Sequence, residues 1–166
     1  SDVCSSDLQT LARAFVQNGW SALRFNFRGV GVSEGQHDHG AGETTDALAL
    51  IEQMAPQGAL ALAGFSFGAF VTCRAIHALA ERSGDLSHVV LVGTATARFE
   101  VPPLPIEVAA KALVIHGEQD EVIALKTVLD WAGRQQHPVL VMPAASHFFH
   151  GQLPFLRDCI IRCLRD

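Results

Sequence analysis

Charged side chains are scarce: Asp, Glu, Lys and Arg make up 17% of 166 residues, against 49% hydrophobic. That balance supplies ample apolar surface for one buried core, and the length suits one domain. Long apolar runs are missing as well. None reaches the ~18 residues needed to span a bilayer, and the opening residues lack the basic-then-apolar order of a secretory signal. A soluble protein with no membrane partner is the expectation. Basic clusters are also absent; the formal charge is −5, the pI is near 5.9 and the Lys and Arg residues are scattered singly, which argues against a nucleic-acid surface. The four cysteines, Cys4, Cys73, Cys159 and Cys163, form no CxxC pair and no legible disulfide framework. A reducing cytoplasm is the expected compartment.

The first eight residues, Ser1-Asp2-Val3-Cys4-Ser5-Ser6-Asp7-Leu8, carry no apolar periodicity and no helix or strand logic. They match the in-frame translation of a common sequencing-library adapter. The expectation is a foreign segment over 1–8 joined to a single, partial domain over 9–166.

From Gln9 onward helix and strand patterns alternate with short turns, which predicts a parallel sheet covered on both faces. Leu11, Ala12, Phe15 and Val16 recur at helical spacing, and Asn18-Gly19 ends that helix. Strands are predicted over Ser21 to Phe27, Ala59 to Phe65, His88 to Gly93, Lys111 to His116 and Pro138 to Met142. Helices are predicted over Glu43 to Met54, Phe67 to Arg82, Leu125 to Gly133 and Gln152 to Leu164. A Gly-rich polar loop, Arg28 to Gly42, separates the first strand from the next helix. The glycines of that loop do not open directly into a helix, so a dinucleotide fingerprint is rejected.

Gly64-Phe65-Ser66-Phe67-Gly68 is G-x-S-x-G set between an apolar run and a helix, the context that gives the motif its meaning. A nucleophile there projects from a tight strand-to-helix turn, and small residues at minus two and plus two oppose it least. Ser66 then lies at a helix N-terminus that favours developing negative charge. The Phe67 N–H is the expected oxyanion donor. A serine hydroxyl needs a base, and the base needs an orienting group. Asp120 follows the strand Lys111 to His116, with Glu118 and Glu121 as rivals. His147 follows the strand Pro138 to Met142 by a short loop, with His150 as rival. A zinc reading of His147 and His150 lacks a third ligand; no metal or cofactor is expected.

GFSFG, HGEQDEV and ASHFF together resemble the α/β-hydrolase superfamily from Gln9 to the end. The stretch Arg24 to Gly35 is similar to the R-G-x-G-x-S turn after that superfamily's fourth strand. The loop through His37, Asp38, Gly42 and Glu43 is similar to small, cap-less bacterial members related to dienelactone-hydrolase-like enzymes. The resemblance implies a fold of class α/β, a mostly parallel sheet flanked by helices, lacking its first three strands. It also implies a sheet gap between Ser21–Phe27 and Ala59–Phe65, and a second oxyanion donor supplied by the loop after the third strand. Exposed strand edges are costly, and losing one oxyanion donor costs on the order of 100- to 1,000-fold in rate. A poorly stable and nearly inactive chain is therefore expected, alongside an active intact gene product.

The activity implied is hydrolysis of a small-molecule ester by a carboxylesterase, with Ser66, His147 and Asp120 as triad; the alternatives are a thioesterase or peptidase with the same triad, or a non-catalytic binding protein of the same fold. Only about seventeen residues separate the strands ending at Gly93 and beginning at Lys111, too few for a helical cap. Phe65 and Phe148, with Phe67 and Phe149, are expected to line an apolar entrance. Arg28, Glu43 and Asp46 are expected to brace the Gly-rich loop, with His37 and His39 on its surface.

Overall fold

The computed structural model describes residues 3–165. Ser1 and Asp2 of the expected foreign segment lie outside the described residues. Helix α1 spans Val3–Gln17, so the helix begins inside that segment, where no helix was expected. The Gly-rich loop comes next and ends at Gly40, two residues earlier than expected, then α2 (Ala41–Met54), β1 (Leu60–Phe65) and α3 (Phe67–Ala78). A 3₁₀ turn over Ala80–Arg82 leads to β2 (Leu86–Val92). The chain continues through the short α4 (Ile106–Ala109), β3 (Ala112–Gly117), α5 (Leu125–Gly133), β4 (Leu140–Met142) and α6 (Leu153–Cys163).

The four strands form one parallel sheet in the order β1-β2-β3-β4. Its pleat sends alternate residues to opposite faces. Leu86, Val89, Leu91 and Val114 meet α2, α3 and α5 through Ala47, Phe70, Ile76, Val128 and Trp131. Val90, Val92, Ile115 and Met142 meet α1 and α6 through Leu11, Phe15, Leu156 and Ile160. Both faces are therefore covered, which explains why the inner strands read as unbroken apolar runs.

One expected element is not formed. Ser21 to Phe27 makes no strand, and residues 21–26 are exposed. A parallel strand exists through its neighbours' hydrogen bonds, and among the described residues this segment has none to pair with. β1 is accordingly an edge strand, bonded only to β2. The expected gap within the sheet is therefore not seen: with Ser21 to Phe27 unpaired, the described strands form one continuous sheet that ends at β1.

Segment 93–111, between β2 and β3, packs onto the core. Val101, Leu104 and Val108 are buried, and the Trp131 indole N–H donates to the Val101 carbonyl at 3.1 Å.

Candidate active site

The turn from β1 into α3 carries Ser66 at φ 54°, ψ −115°, a backbone conformation that costs a non-glycine residue energy. Its neighbours explain how that turn is tolerated. A Cβ on Gly64 would collide with the backbone of Gly68 and Ala69 one helical turn on. Phe67, the first residue of α3, has a backbone N–H with no intrahelical acceptor.

His147 Nε2 lies 3.0 Å from Ser66 Oγ, and His147 Nδ1 lies 2.7 Å from Asp120 Oδ2. The three expected residues are thus brought together in one hydrogen-bonded line. Side-chain burial deepens along it: Ser66 is half-buried, whereas the His147 side chain is 3% and that of Asp120 0% exposed. Burial alone would push the Asp120 carboxyl up. The His147 imidazole and the N–H groups of Ile123 and Val122 outweigh it and hold the carboxyl below its ordinary range. A carboxylate is what an Nδ1–H imidazole needs as a partner, because it fixes the tautomer that leaves Nε2 free to accept.

The rivals Glu118 and Glu121 have other partners. Glu118 accepts the Ala144 N–H at 2.8 Å, and Glu121 accepts the His147 N–H at 3.1 Å. The backbone adds Gln119 N–H to the Ala145 carbonyl and Glu118 N–H to the Met142 carbonyl, each at 2.9 Å. The loop carrying Asp120 therefore grips the loop carrying His147. Two glycines serve the site in ways the sequence does not signal. Gly93, at φ 58°, lies under the imidazole: a Cβ there would sit 3.3 Å from His147 Cε1. A Cβ on Gly117 would strike the Ala145 carbonyl. Both roles depend on neighbours distant along the chain, so only the fold reveals them.

Phe65 and Phe148 fall against the imidazole, each with its ring centroid 4.9 Å from that of His147. Phe65 is only 4% exposed, so it wedges the histidine and offers little surface to a substrate. Phe149 is fully buried, while Phe148 is half-buried. On the other side, the Phe67 ring packs among Phe27, Phe70, Phe99 and the His37 imidazole, at centroid distances of 5.0–5.9 Å. In the Gly-rich loop, Arg28 pairs with Asp46 through two bonds of 2.7 and 2.8 Å. Glu43, fully buried, instead accepts the N–H groups of Asp38 and Gly40 and faces His37 Nδ1 at 3.1 Å. Among the described residues, no group of three or more His, Cys, Asp or Glu is arranged to hold a metal ion.

Residues 4–113 match the family model described as serine aminopeptidase, S33. The chain belongs to that family. The match includes the Ser66 turn, whereas Asp120 and His147 lie beyond it. Among solved structures, a lid-less α/β serine hydrolase from Xanthomonas campestris is 35% identical, with a TM-score of 0.85 over 99% of this chain and 74% of its own. An α/β serine hydrolase homologue from Coxiella burnetii is 33% identical, with a TM-score of 0.75 over 95% of this chain and 75% of its own. An uncharacterised curated protein from Rickettsia prowazekii is 29% identical over 82% of this chain, which spans 61% of that relative's length. With these relatives, the S33 chain is a cap-less α/β-hydrolase, and its sheet and flanking helices adopt that fold. No described helix is long and apolar enough to cross a membrane.

Proposed function

We propose that this S33-family chain carries the reaction centre of a small carboxylesterase, with Ser66 as nucleophile, His147 as base and Asp120 as orienting acid. The supporting observation is the continuous hydrogen-bonded line from the half-buried Ser66 Oγ through His147 to the buried Asp120 Oδ2. In this reading Ser66 Oγ attacks the carbonyl carbon of a small-molecule ester while His147 Nε2 takes its proton. The tetrahedral oxyanion receives the N–H of Phe67, which stands at the positive end of α3. Collapse transfers the proton from the imidazolium to the leaving alkoxide, and a water activated by the same imidazole then releases the acyl group. Asp120 stays ionised throughout and balances the imidazolium. No cofactor or metal enters this scheme.

An open, uncapped site suits small or surface-exposed esters, with Phe148 as an apolar wall near the acyl group. A cytoplasmic setting is part of this reading. The family's description favours a second reading, peptide hydrolysis by the same triad; thioester hydrolysis would use it too.

A fluorophosphonate probe tests the nucleophile directly. Labelling should occur in the unaltered chain and vanish in Ser66→Ala while the far-ultraviolet circular dichroism stays unchanged. Labelling that survives in Ser66→Ala would reject Ser66. A panel of p-nitrophenyl esters of increasing chain length, run beside aminoacyl anilides, separates esterase from aminopeptidase.

A further inference from the structure

His116 is the penultimate residue of β3 and has no exposed surface. Its Nε2 lies 2.8 Å from the Ile123 carbonyl oxygen and 3.3 Å from Asp120 Oδ2. A carbonyl oxygen only accepts, so Nε2 carries the hydrogen and the ring is the Nε2–H tautomer. Nδ1 is then a bare acceptor, buried with no hydrogen-bond partner. A proton added there would bury an N–H without an acceptor and set a second cation beside the imidazolium of His147. Burial, aided by the nearby His147 and working against the Ile123 carbonyl and Asp120, holds His116 below the ordinary histidine range.

The bond to Ile123 matters because Ile123 is also a partner of Asp120. Its N–H donates to Asp120 Oδ1 at 2.7 Å, beside the Val122 N–H at 2.9 Å. Ile123 is thus held on one side by Asp120 and on the other by His116. The carboxylate cannot swing away from His147 without breaking that closed turn. We propose that His116 is a positioning residue whose Nε2–H locks the Asp120–Ile123 turn and presents Oδ2 to His147 Nδ1. The inference rests on the Ser66–His147–Asp120 reading.

Asp120 and His147 are the titratable groups facing His116. His147 is further surrounded by the Glu121 carboxylate, which accepts its backbone N–H, by His150 nearby in the chain, and by Asp7 on α1. All of these stay unchanged in the test. Nitrogen-15 NMR of the unaltered chain should show His116 as the neutral Nε2–H form throughout the pH range over which Ser66 labelling changes. Fluorophosphonate labelling of Ser66 is then followed across the same range in the unaltered chain, His116→Phe and His116→Gln. In His116→Phe, labelling slows about tenfold. Its pH midpoint falls by about one unit, because a loosely held carboxylate stabilises the imidazolium less. In His116→Gln the amide N–H can still reach the Ile123 carbonyl, and rate and midpoint return to within about twofold and a few tenths of a unit.

A merely structural role would lower the melting temperature of His116→Phe and leave the pH profile in place; that result overturns the proposal. A His116 ring that titrates in this range overturns it as well, even if His116→Phe does not fold. Loss of labelling in Ser66→Ala together with unaltered kinetics in His116→Phe rejects the His116 role and leaves the triad standing. No labelling of the unaltered chain rejects both.

Discussion

Asp7 on α1 is fully buried, and neither of its carboxylate oxygens has a hydrogen-bond partner. Burial raises its pKa from 3.8 to about 6, and nearby His147 and His150 only partly offset that rise. The native state therefore holds a proton that the unfolded chain has released between these two values. Stability falls as pH rises through that window and levels off above about 6. The displacement corresponds to a penalty on the order of 3 kcal/mol at neutral pH, a large share of the ~5–15 kcal/mol that stabilises an ordinary domain. Asp7→Asn keeps the shape and removes the titration. Urea unfolding monitored by circular dichroism should show the variant ahead by about 3 kcal/mol at pH 8 and by only about 1 kcal/mol at pH 4.5. A variant advantage that stays constant with pH, or a variant less stable throughout, would refute the reasoning.

The same geometry leads to three further outcomes. Asp120→Asn should cut ester turnover by roughly 10⁴-fold through the wrong imidazole tautomer, with little loss in substrate KM; steady-state kinetics on a p-nitrophenyl ester checks it. Because the folded Asp120 carboxyl is held below its ordinary value, its stabilising contribution is present above about pH 4 and is lost as pH falls through the folded value. Acid unfolding should therefore be shallower in Asp120→Asn than in the parent. Gly93→Ala places a methyl group 3.3 Å from His147 Cε1 on a backbone at φ 58°. It should cost about 1–3 kcal/mol in urea unfolding and slow fluorophosphonate labelling about tenfold.

The sequence carried the sheet because its inner strands are buried on both faces, and a two-sided apolar run such as HVVLVG has few other uses. Ser21 to Phe27 shows the limit of that logic. Its composition suits a strand, but a strand is a property of a pair, and composition does not say whether the partner is present. The start of α1 is illegible for the opposite reason. Val3 to Leu8 have weak helical character of their own, and the helix is stabilised from its second half, where Leu11, Ala14 and Phe15 pack into the core. In the site, Ser66, Asp120 and His147 were legible because each lies within a few residues of a strand end. His116, Gly93, Gly117 and Glu121 were not, since their roles depend on residues close in space and far along the chain.

The order of the strands explains why that second group is needed. Ser66 comes after β1, Asp120 after β3 and His147 after β4, so the histidine must reach back past β3 and β2 to meet the serine. Three strand spacings amount to about 14 Å, more than one side chain can cover. The loop after β4 therefore has to lean over the rim, and its backbone records the strain: Ala144 and Phe149, on either side of His147, both have positive φ. Carboxylates of Glu118 and Glu121 hold that loop against the β3 loop by its N–H groups. Gly117 lets the two loops touch, and Gly93 at the end of β2 leaves the imidazole a clear passage. A side chain at either glycine would crowd the path by which His147 reaches Ser66. The reach of His147 is thus set by the side chains that are missing beneath it as much as by the Asp120 carboxylate behind it.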